Sequence, residues 1–140
     1  MSNLDYKVLK YLFESEKPLK IGDIKKDLEI PHSTLGSCIE RLEKQEYVDY
    51  EPYYEVELTE KGKEMAKELL RHQHLIELLF YKELGLTKEL AHKESQKFNL
   101  LLSCRTINKI CERYGHPQKC PCGAEILDSK NCYCEQRAEN

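Results

Sequence analysis

The sequence lacks any long apolar run, and its first residues lack the character of a secretory signal. No stretch approaches the roughly 18 apolar residues that a membrane-spanning helix requires. The opening string MSNLDYKVLKYLFESEK carries charges where a signal peptide would be apolar. Internal repeats and low-complexity tracts are also missing. From these absences we expect a cytoplasmic protein.

The sequence also lacks the local motifs of several enzyme classes and any excess of positive charge. It has no Gly-rich phosphate loop, no nucleophile elbow and no His-Glu-x-x-His string, so we predict that it is not an enzyme. The net charge is -3, and residues 1–58 hold eight Lys and Arg against thirteen Asp and Glu. Any contact with nucleic acid must therefore rest on a local basic patch.

The first sixty residues show the periodicity of three short helices followed by two strands. Apolar positions recur at helical spacing in residues 4–15, 21–28 and 33–44, and Ser33 is the expected N-cap of the third helix. Residues 47–50 and 54–58 alternate around the turn Glu51-Pro52-Tyr53, which predicts a hairpin. Helix-turn-helix followed by a hairpin is a winged helix, whose third helix enters the major groove of DNA.

The rest of the chain is predicted to be helical up to a cysteine-rich tail. A helix of about 25 residues starts near Thr59, another follows Thr87, and a last one begins after the N-cap Ser103. We expect a mainly α fold with a winged-helix domain at 1–60, a helical dimerisation domain at 61–116 and a metal- or cluster-binding tail at 117–140. The apolar surface of these helices predicts a homodimer.

Seven cysteines are present, and their odd number in an intracellular context disfavours a disulfide framework. Two Cys-x-Cys pairs lie near the C-terminus and can converge four thiolates on one centre. We expect an iron-sulfur cluster there, with zinc as the alternative. Cys38 and Cys111 occupy apolar helix positions; Cys38 is expected in the core, and Cys111 in the core or at a dimer interface. The four predicted ligands are Cys120, Cys122, Cys132 and Cys134.

Four strings together resemble the diphtheria toxin repressor and manganese transport regulator family of metal-dependent repressors. They are STLGSCIERLEK at 33–44, VELTEKGKEMA at 56–66, HLIE at 74–77 and GHPQKCPCG at 115–123. The resemblance covers about residues 4–124 and implies a winged helix followed by a helical dimerisation and metal-binding domain. It also implies base contacts near Ser33, Thr34 and Ser37, and phosphate contacts from Lys25, Lys26, Arg41 and Lys44.

The chain departs from this family at the regulatory metal site. Aligned on Glu77, the family's other ligand positions fall on Leu4, Lys7, Gln73, His92, Gln96, Asn99 and Leu100. Only Glu77 and His92 remain as donors, which cannot close the shell of a hard divalent cation. The inherited site is therefore expected to be degenerate, although the neighbouring His72 or His74 could restore part of it.

These observations predict a homodimeric DNA-binding transcription regulator that responds to an iron-sulfur cluster or metal on the tail cysteines. The alternative is a zinc-stabilised winged-helix module that binds DNA or protein and has no sensing role.

Overall fold

The computed structural model describes residues 1–51 and 55–132. The chain divides into two compact units, Met1–Ala66 and Lys67–Asn140. The finer division into three domains stays a prediction. Within the described residues, no helix combines the length and the apolar character needed to cross a membrane.

The first unit contains three helices at the positions that the sequence predicts. They are α1 (Asn3–Ser15), α2 (Ile21–Leu28) and α3 (His32–Lys44). Helix α1 begins with a capping box, in which Ser2 accepts from the backbone of Asp5 while the Asp5 side chain accepts from the backbone of Ser2. Helices α1 and α2 both end at a glutamate in the left-handed conformation.

Helix α3 begins earlier than the sequence suggests, because its N-cap is Pro31 instead of Ser33. Its N-cap is Pro31, whose carbonyl accepts from the Leu35 amide at 2.9 Å, so Ser33 lies inside the helix. The prediction that Ser33 caps this helix is therefore wrong. Pro31 has φ of -57° and ψ of 146°, the extended conformation usual for an N-cap, and the helix begins without a side-chain cap hydrogen bond.

A three-stranded antiparallel sheet completes the first unit. Strands β1 (Leu19–Lys20), β2 (Val48–Tyr50) and β3 (Glu55–Leu58) lie in the order β1-β3-β2. The β2–β3 pair is the predicted hairpin, while Pro52, Tyr53 and Tyr54 lie outside the described residues. Strand β1 was not predicted, because two residues are too few to show an alternating pattern.

The core of the first unit comes from the apolar faces of the three helices and from the sheet. Cys38 is fully buried among them, as predicted. The other members with 0–1% exposure include Leu9, Ile24, Leu35, Ile39, Leu42 and Val56.

The long helix α4 (Glu60–Leu84) begins in the first unit and continues in the second, where α5 (Lys88–Ser95) and α6 (Cys104–Arg113) follow. Thr87 and Ser103 cap α5 and α6 with their side chains, and the cap at Ser103 confirms the sequence-based prediction. The second unit has its own core, in which Cys111 is fully buried as expected. Other members are Leu75, Ile76, Ile107, Ile110, Cys120 and Ile126.

Candidate metal centres

Helix α4 buries a series of polar side chains in the second unit, where an ordinary core would hold apolar ones. Glu68 and His72 lie one helical turn apart, and His74 and Glu77 follow on the next turn; all four are at most 9% exposed. Burying ionisable groups is costly unless they are hydrogen-bonded, paired or bound to a metal. This part of α4 is therefore a candidate site.

The first group of metal-binding side chains joins α4 and α5 to the loop after α6. The donor atoms of His74, Cys120 and Cys122 lie within 4.8 Å of one another, and so do those of Glu77, His92 and Cys122. Because Cys122 belongs to both sets, we call these five residues site 1. They offer two sulfur atoms, two imidazole nitrogens and one carboxylate.

Backbone hydrogen bonds hold the Cys-x-Cys loop of site 1 in place. The Cys120 amide donates to the Ala124 carbonyl and the Gly123 amide donates to the Cys120 carbonyl, both at 2.9 Å. Gly123 has φ of 92°, a torsion that favours glycine and lets the chain turn back. The Glu77 carboxylate completes the arrangement. Its Oε2 accepts from the Cys122 amide at 3.3 Å, and its Oε1 lies 2.6 Å from His92 Nδ1.

A second group, which we call site 2, consists of Glu68, His72, Cys104 and Cys132, whose donor atoms also lie within 4.8 Å of one another. His72 Nε2 is 2.8 Å from Cys132 Sγ and 3.7 Å from Cys104 Sγ. Glu68 Oε1 is 3.0 Å from Cys104 Sγ and 3.8 Å from Cys132 Sγ. Cys104 is the first residue of α6, and Cys132 is held by a 3.0 Å bond from its amide to Ser129 Oγ.

Burial sets the protonation of the two α4 residues of site 2. It lowers the pKa of His72, and the nearby carbonyl of Asn99 opposes this only in part. It raises the pKa of Glu68, opposed by a hydrogen bond with Asn131. His72 is therefore biased toward its neutral form, which is the form of imidazole that binds metals.

The structure pairs the cysteines of each site as disulfides, Cys104 with Cys132 and Cys120 with Cys122, whereas Cys38 and Cys111 are free. This pairing differs from the sequence-based expectation, which disfavoured disulfides on the odd cysteine count. The count could not show that two pairs of sulfur atoms would lie side by side in the folded chain.

The four cysteines predicted to share one centre are distributed differently in the structure. Cys120 and Cys122 lie together in site 1, but Cys132 belongs to site 2, and among the described residues no donor group joins it to Cys120 or Cys122. The reason is that the Ser129 turn places Cys132 beside the start of α6, where Cys104 faces it. Cys134 lies outside the described residues. The degenerate family pair, Glu77 and His92, is in direct contact.

Two residues of site 2, Glu68 and Cys104, were not identified from the sequence. A usable signal existed in the Glu-x-x-x-His spacing of Glu68 and His72, which places both on one face of a predicted helix. Cys104 offered no comparable signal, because its partners are 28 and 36 residues away along the chain.

The residues predicted to contact DNA lie on the surface of the first unit, and two of them form ion pairs. Arg41 Nη2 is 2.7 Å from the buried carboxylate of Asp5 on α1. Lys44 forms a loose pair with Glu40 at 3.9 Å. The others are exposed on α3 or α2, namely Ser33, Thr34, Ser37, Lys25 and Lys26.

A winged helix-turn-helix together with a helical unit that gathers buried histidine, glutamate and cysteine side chains defines a class, the metal-dependent transcription regulators. Residues 59–128 match the family described as "Iron dependent repressor, metal binding and dimerisation domain". The chain belongs to this family, that of the diphtheria toxin repressor and the manganese regulator MntR. Members of this family bind divalent metals. They are transcription regulators and not enzymes.

Individual relatives agree with this assignment. An uncharacterized HTH-type transcriptional regulator of Methanocaldococcus jannaschii is 34% identical over 108 residues, which cover 76% of this chain and 86% of the relative. The HTH-type transcriptional regulator MntR of Bacillus subtilis is 30% identical over 71% of this chain and 69% of its own length. The manganese regulator SloR has a similar fold, with a TM-score of 0.79 at 20% identity over 94% of this chain and 63% of SloR.

Proposed function

We propose that this protein is a homodimeric regulator that binds operator DNA through α3 and whose DNA affinity depends on a divalent metal at site 1. The observation that carries the proposal is the contact of Glu77 with His92 at 2.6 Å, with Cys122 within reach of both. These residues lie within the segment that matches the metal-binding domain of the family. The two surviving family donors are thus joined by one sulfur donor, Cys122.

The donor chemistry of site 1 favours a zinc-type ion. Manganese prefers oxygen ligands, whereas thiolates and imidazoles suit zinc and ferrous iron. Cys122 belongs to two sets of three donors, one with His74 and Cys120 and the other with Glu77 and His92. Either set supplies the three protein ligands of a tetrahedral zinc site that keeps one open position. In this role Cys120 and Cys122 bind as thiolates, and Glu77 orients His92 or joins the shell itself.

DNA recognition rests on the exposed face of α3. Thr34 and Ser37 are one turn apart and open to solvent, which suits contacts to base edges. Ser33 stands beside them at the start of the helix. Lys25, Lys26 and Lys44 are exposed and suit phosphate contacts, while Arg41 would have to exchange its contact with Asp5 for one with DNA.

Regulation requires that the metal bind one conformation of the protein more tightly than another. An ion that bound both equally would leave the equilibrium between them unchanged. The homodimer enters the proposal because two α3 helices could then occupy successive major grooves. A cytoplasmic location is part of the same proposal, because the operator would be found there.

The test is operator selection from random duplexes with the reduced, metal-free full-length protein, in the presence and absence of Zn²⁺. We expect zinc to change operator affinity by at least about fivefold, the low end of ordinary allosteric coupling. His92→Gln and Glu77→Gln should remove that response, and Glu89→Gln, an exposed carboxylate on the same α5 helix, should retain it. Operator binding that ignores metal in every variant would leave a zinc-stabilised module without a sensing role.

The iron-sulfur cluster is the alternative cofactor, and it would draw Cys132 and Cys134 to the Cys120–Cys122 loop. Iron and acid-labile sulfide analysis after anaerobic purification separates the two possibilities. Zinc without sulfide supports a mononuclear site 1, while iron and sulfide in equal amounts with visible absorption would replace it with a cluster.

A further inference from the structure

We infer that site 2 is a second metal-binding site, built from Glu68, His72, Cys104 and Cys132, that takes one zinc-type divalent ion when its two cysteines are reduced. It shares no residue with site 1, and none of its residues is among the ligand positions of the family that the sequence resembles. The inference therefore does not depend on the regulatory role proposed for site 1.

The first support is the composition and spacing of the donors. Two sulfur atoms, one imidazole nitrogen and one carboxylate oxygen are the usual ligand types of zinc, and four is its usual number. All four donor atoms lie within 4.8 Å of one another. The separations from His72 Nε2 and Glu68 Oε1 to the two sulfurs run from 2.8 to 3.8 Å, so the donors surround one point. A small shift of side chains would admit an ion.

The second support is the orientation of His72. Its Nδ1 lies 3.0 Å from the carbonyl oxygen of Asn99, and a carbonyl can only accept, so Nδ1 carries the proton. The lone pair is then on Nε2, the atom that faces the two sulfurs. Metal-bound histidines are commonly held in this way by a backbone carbonyl on the far ring nitrogen.

The third support is that three of the four donors are buried, Cys104 is half-buried, and several elements hold the site. Cys132 is fully buried, His72 is 4% exposed and Glu68 is 9% exposed. Glu68 and His72 are fixed one turn apart on α4, Cys104 by the start of α6 and Cys132 by the Ser129 turn. A divalent cation among these groups would offset the negative charge of a carboxylate and two thiolates in a buried place.

The disulfide between Cys104 and Cys132 and the metal are mutually exclusive, because thiolates are the ligands. Reduction by two equivalents of a monothiol breaks the sulfur–sulfur bond, gives two protein thiols and joins the two reductant sulfurs in a new disulfide. Binding of Zn²⁺ by the two thiols then releases two protons. Site 2 thus has an oxidised, metal-free state and a reduced, metal-bound state.

The test is zinc stoichiometry of the full-length protein, kept reduced and anaerobic after metal removal with a chelator. The wild type should bind two equivalents. The double variant Cys120→Ser with Cys122→Ser should lose the site 1 equivalent and keep the site 2 equivalent. The double variant Cys104→Ser with Cys132→Ser should lose the site 2 equivalent and keep the site 1 equivalent. All variants also carry Cys134→Ser, so that Cys134 cannot replace a lost cysteine ligand. Treatment of the wild type with a disulfide-forming oxidant before zinc is added should abolish binding at both sites.

Two variants that leave all cysteines in place guard against loss of folding. Glu68→Gln and His72→Gln should weaken the site 2 equivalent by at least about 100-fold, since even outer-shell changes cost about 10- to 100-fold. Cobalt binding in the Cys120 and Cys122 double variant should give sulfur-to-cobalt absorption that these substitutions remove. An unchanged zinc stoichiometry in Cys104→Ser with Cys132→Ser, or wild-type affinity in both glutamine variants, would overturn the inference. Neither result depends on whether zinc alters operator binding.

Discussion

Asp5 is a buried carboxylate at 2% exposure that serves two elements of the first unit. It closes the capping box of α1 and pairs with Arg41 on α3 at 2.7 Å. Asp5→Asn should lower the free energy of unfolding by about 1.5 kcal/mol, because hydrogen bonds to a charged group are lost. Urea unfolding at pH 7 measures this, and Asp23→Asn, an exposed carboxylate in the first turn of α2, is the control that should change little.

The same residue predicts a dependence on pH. Burial raises the pKa of Asp5, but the hydrogen bond from Arg41, aided by bonds with Cys38 and Ser2, outweighs it, and the pKa lies below the ordinary 3.8. Its stabilisation is therefore complete above the unfolded pKa and is lost as pH falls through the folded one. The difference between wild type and Asp5→Asn should shrink as the pH falls below 3.8. A constant difference would assign the effect to packing instead of charge.

Single-residue environments could be predicted from the sequence where a local pattern determined them. The burial of Cys38 and Cys111 followed from their apolar helix positions. The assignment of Cys132 to Cys104 could not be predicted, because it depends on how the chain after α6 returns to α4. Periodicity reports which face of an element is buried, and it contains no information about which faces meet.

At the scale of elements, the start of α4 approaches the backbone before β2 closely. A Cβ atom on Gly62 would collide with the carbonyl oxygen of Tyr47, whereas one on Gly36 in α3 would meet nothing within 4 Å. Gly62→Ala should therefore destabilise the protein by about 1–3 kcal/mol through overpacking. Gly36→Ala should be neutral or stabilising by up to about 1 kcal/mol, as expected for an exposed helix. Denaturant midpoints compare the two, and equal effects would refute the close approach.

The helices were predicted well and β1 was not, for a physical reason. The six helices found among residues 1–51 and 55–132 carry several turns of apolar repeats or a side-chain cap, both of which are local signals. Strand β1 exists because Leu19 and Lys20 pair with Val56 and Glu55 of β3, which are 35 or more positions away. The start of α3 was misplaced by a competing local feature, Pro31, which begins a helix without a side-chain cap.

Helix α3 carries a prediction about DNA recognition that separates base contacts from phosphate contacts. Thr34→Ala with Ser37→Ala should reduce preference for the selected operator, at about 1–3 kcal/mol per lost base contact, and leave zinc content unchanged. Lys25→Ala with Lys26→Ala should weaken binding to all sequences and reduce the salt slope by about one per phosphate contact. Lys109→Ala, on α6, is the matched control. Unchanged operator preference in the first variant would remove α3 from the interface.

At the scale of the whole molecule, the exposed apolar residues of the second unit argue for association of two copies. Leu101 is 75% exposed and Leu84 is 64% exposed, and Leu90 and Phe98 are each 41% exposed. Phe98 also packs edge-on against Phe80 at 5.7 Å between ring centroids, so part of this surface is already ordered by the fold. Clusters of exposed large apolar side chains are typical of protein interfaces.

Leu101→Glu tests this association without disturbing the core, because the side chain is largely exposed in a single copy. If Leu101 lies in a dimer interface, the buried charge should raise the dimer dissociation constant by at least about tenfold, which is about 1.4 kcal/mol. Sedimentation velocity over a range of concentrations measures it. Lys109→Glu brings in the same side chain at an exposed position of α6 and should leave the dimer dissociation constant unchanged.

Because successive major grooves require two α3 helices, the Leu101 variant should also lose affinity for a two-half-site operator while keeping its affinity for a single half-site. Unaltered dissociation in Leu101→Glu would place the interface elsewhere on the chain.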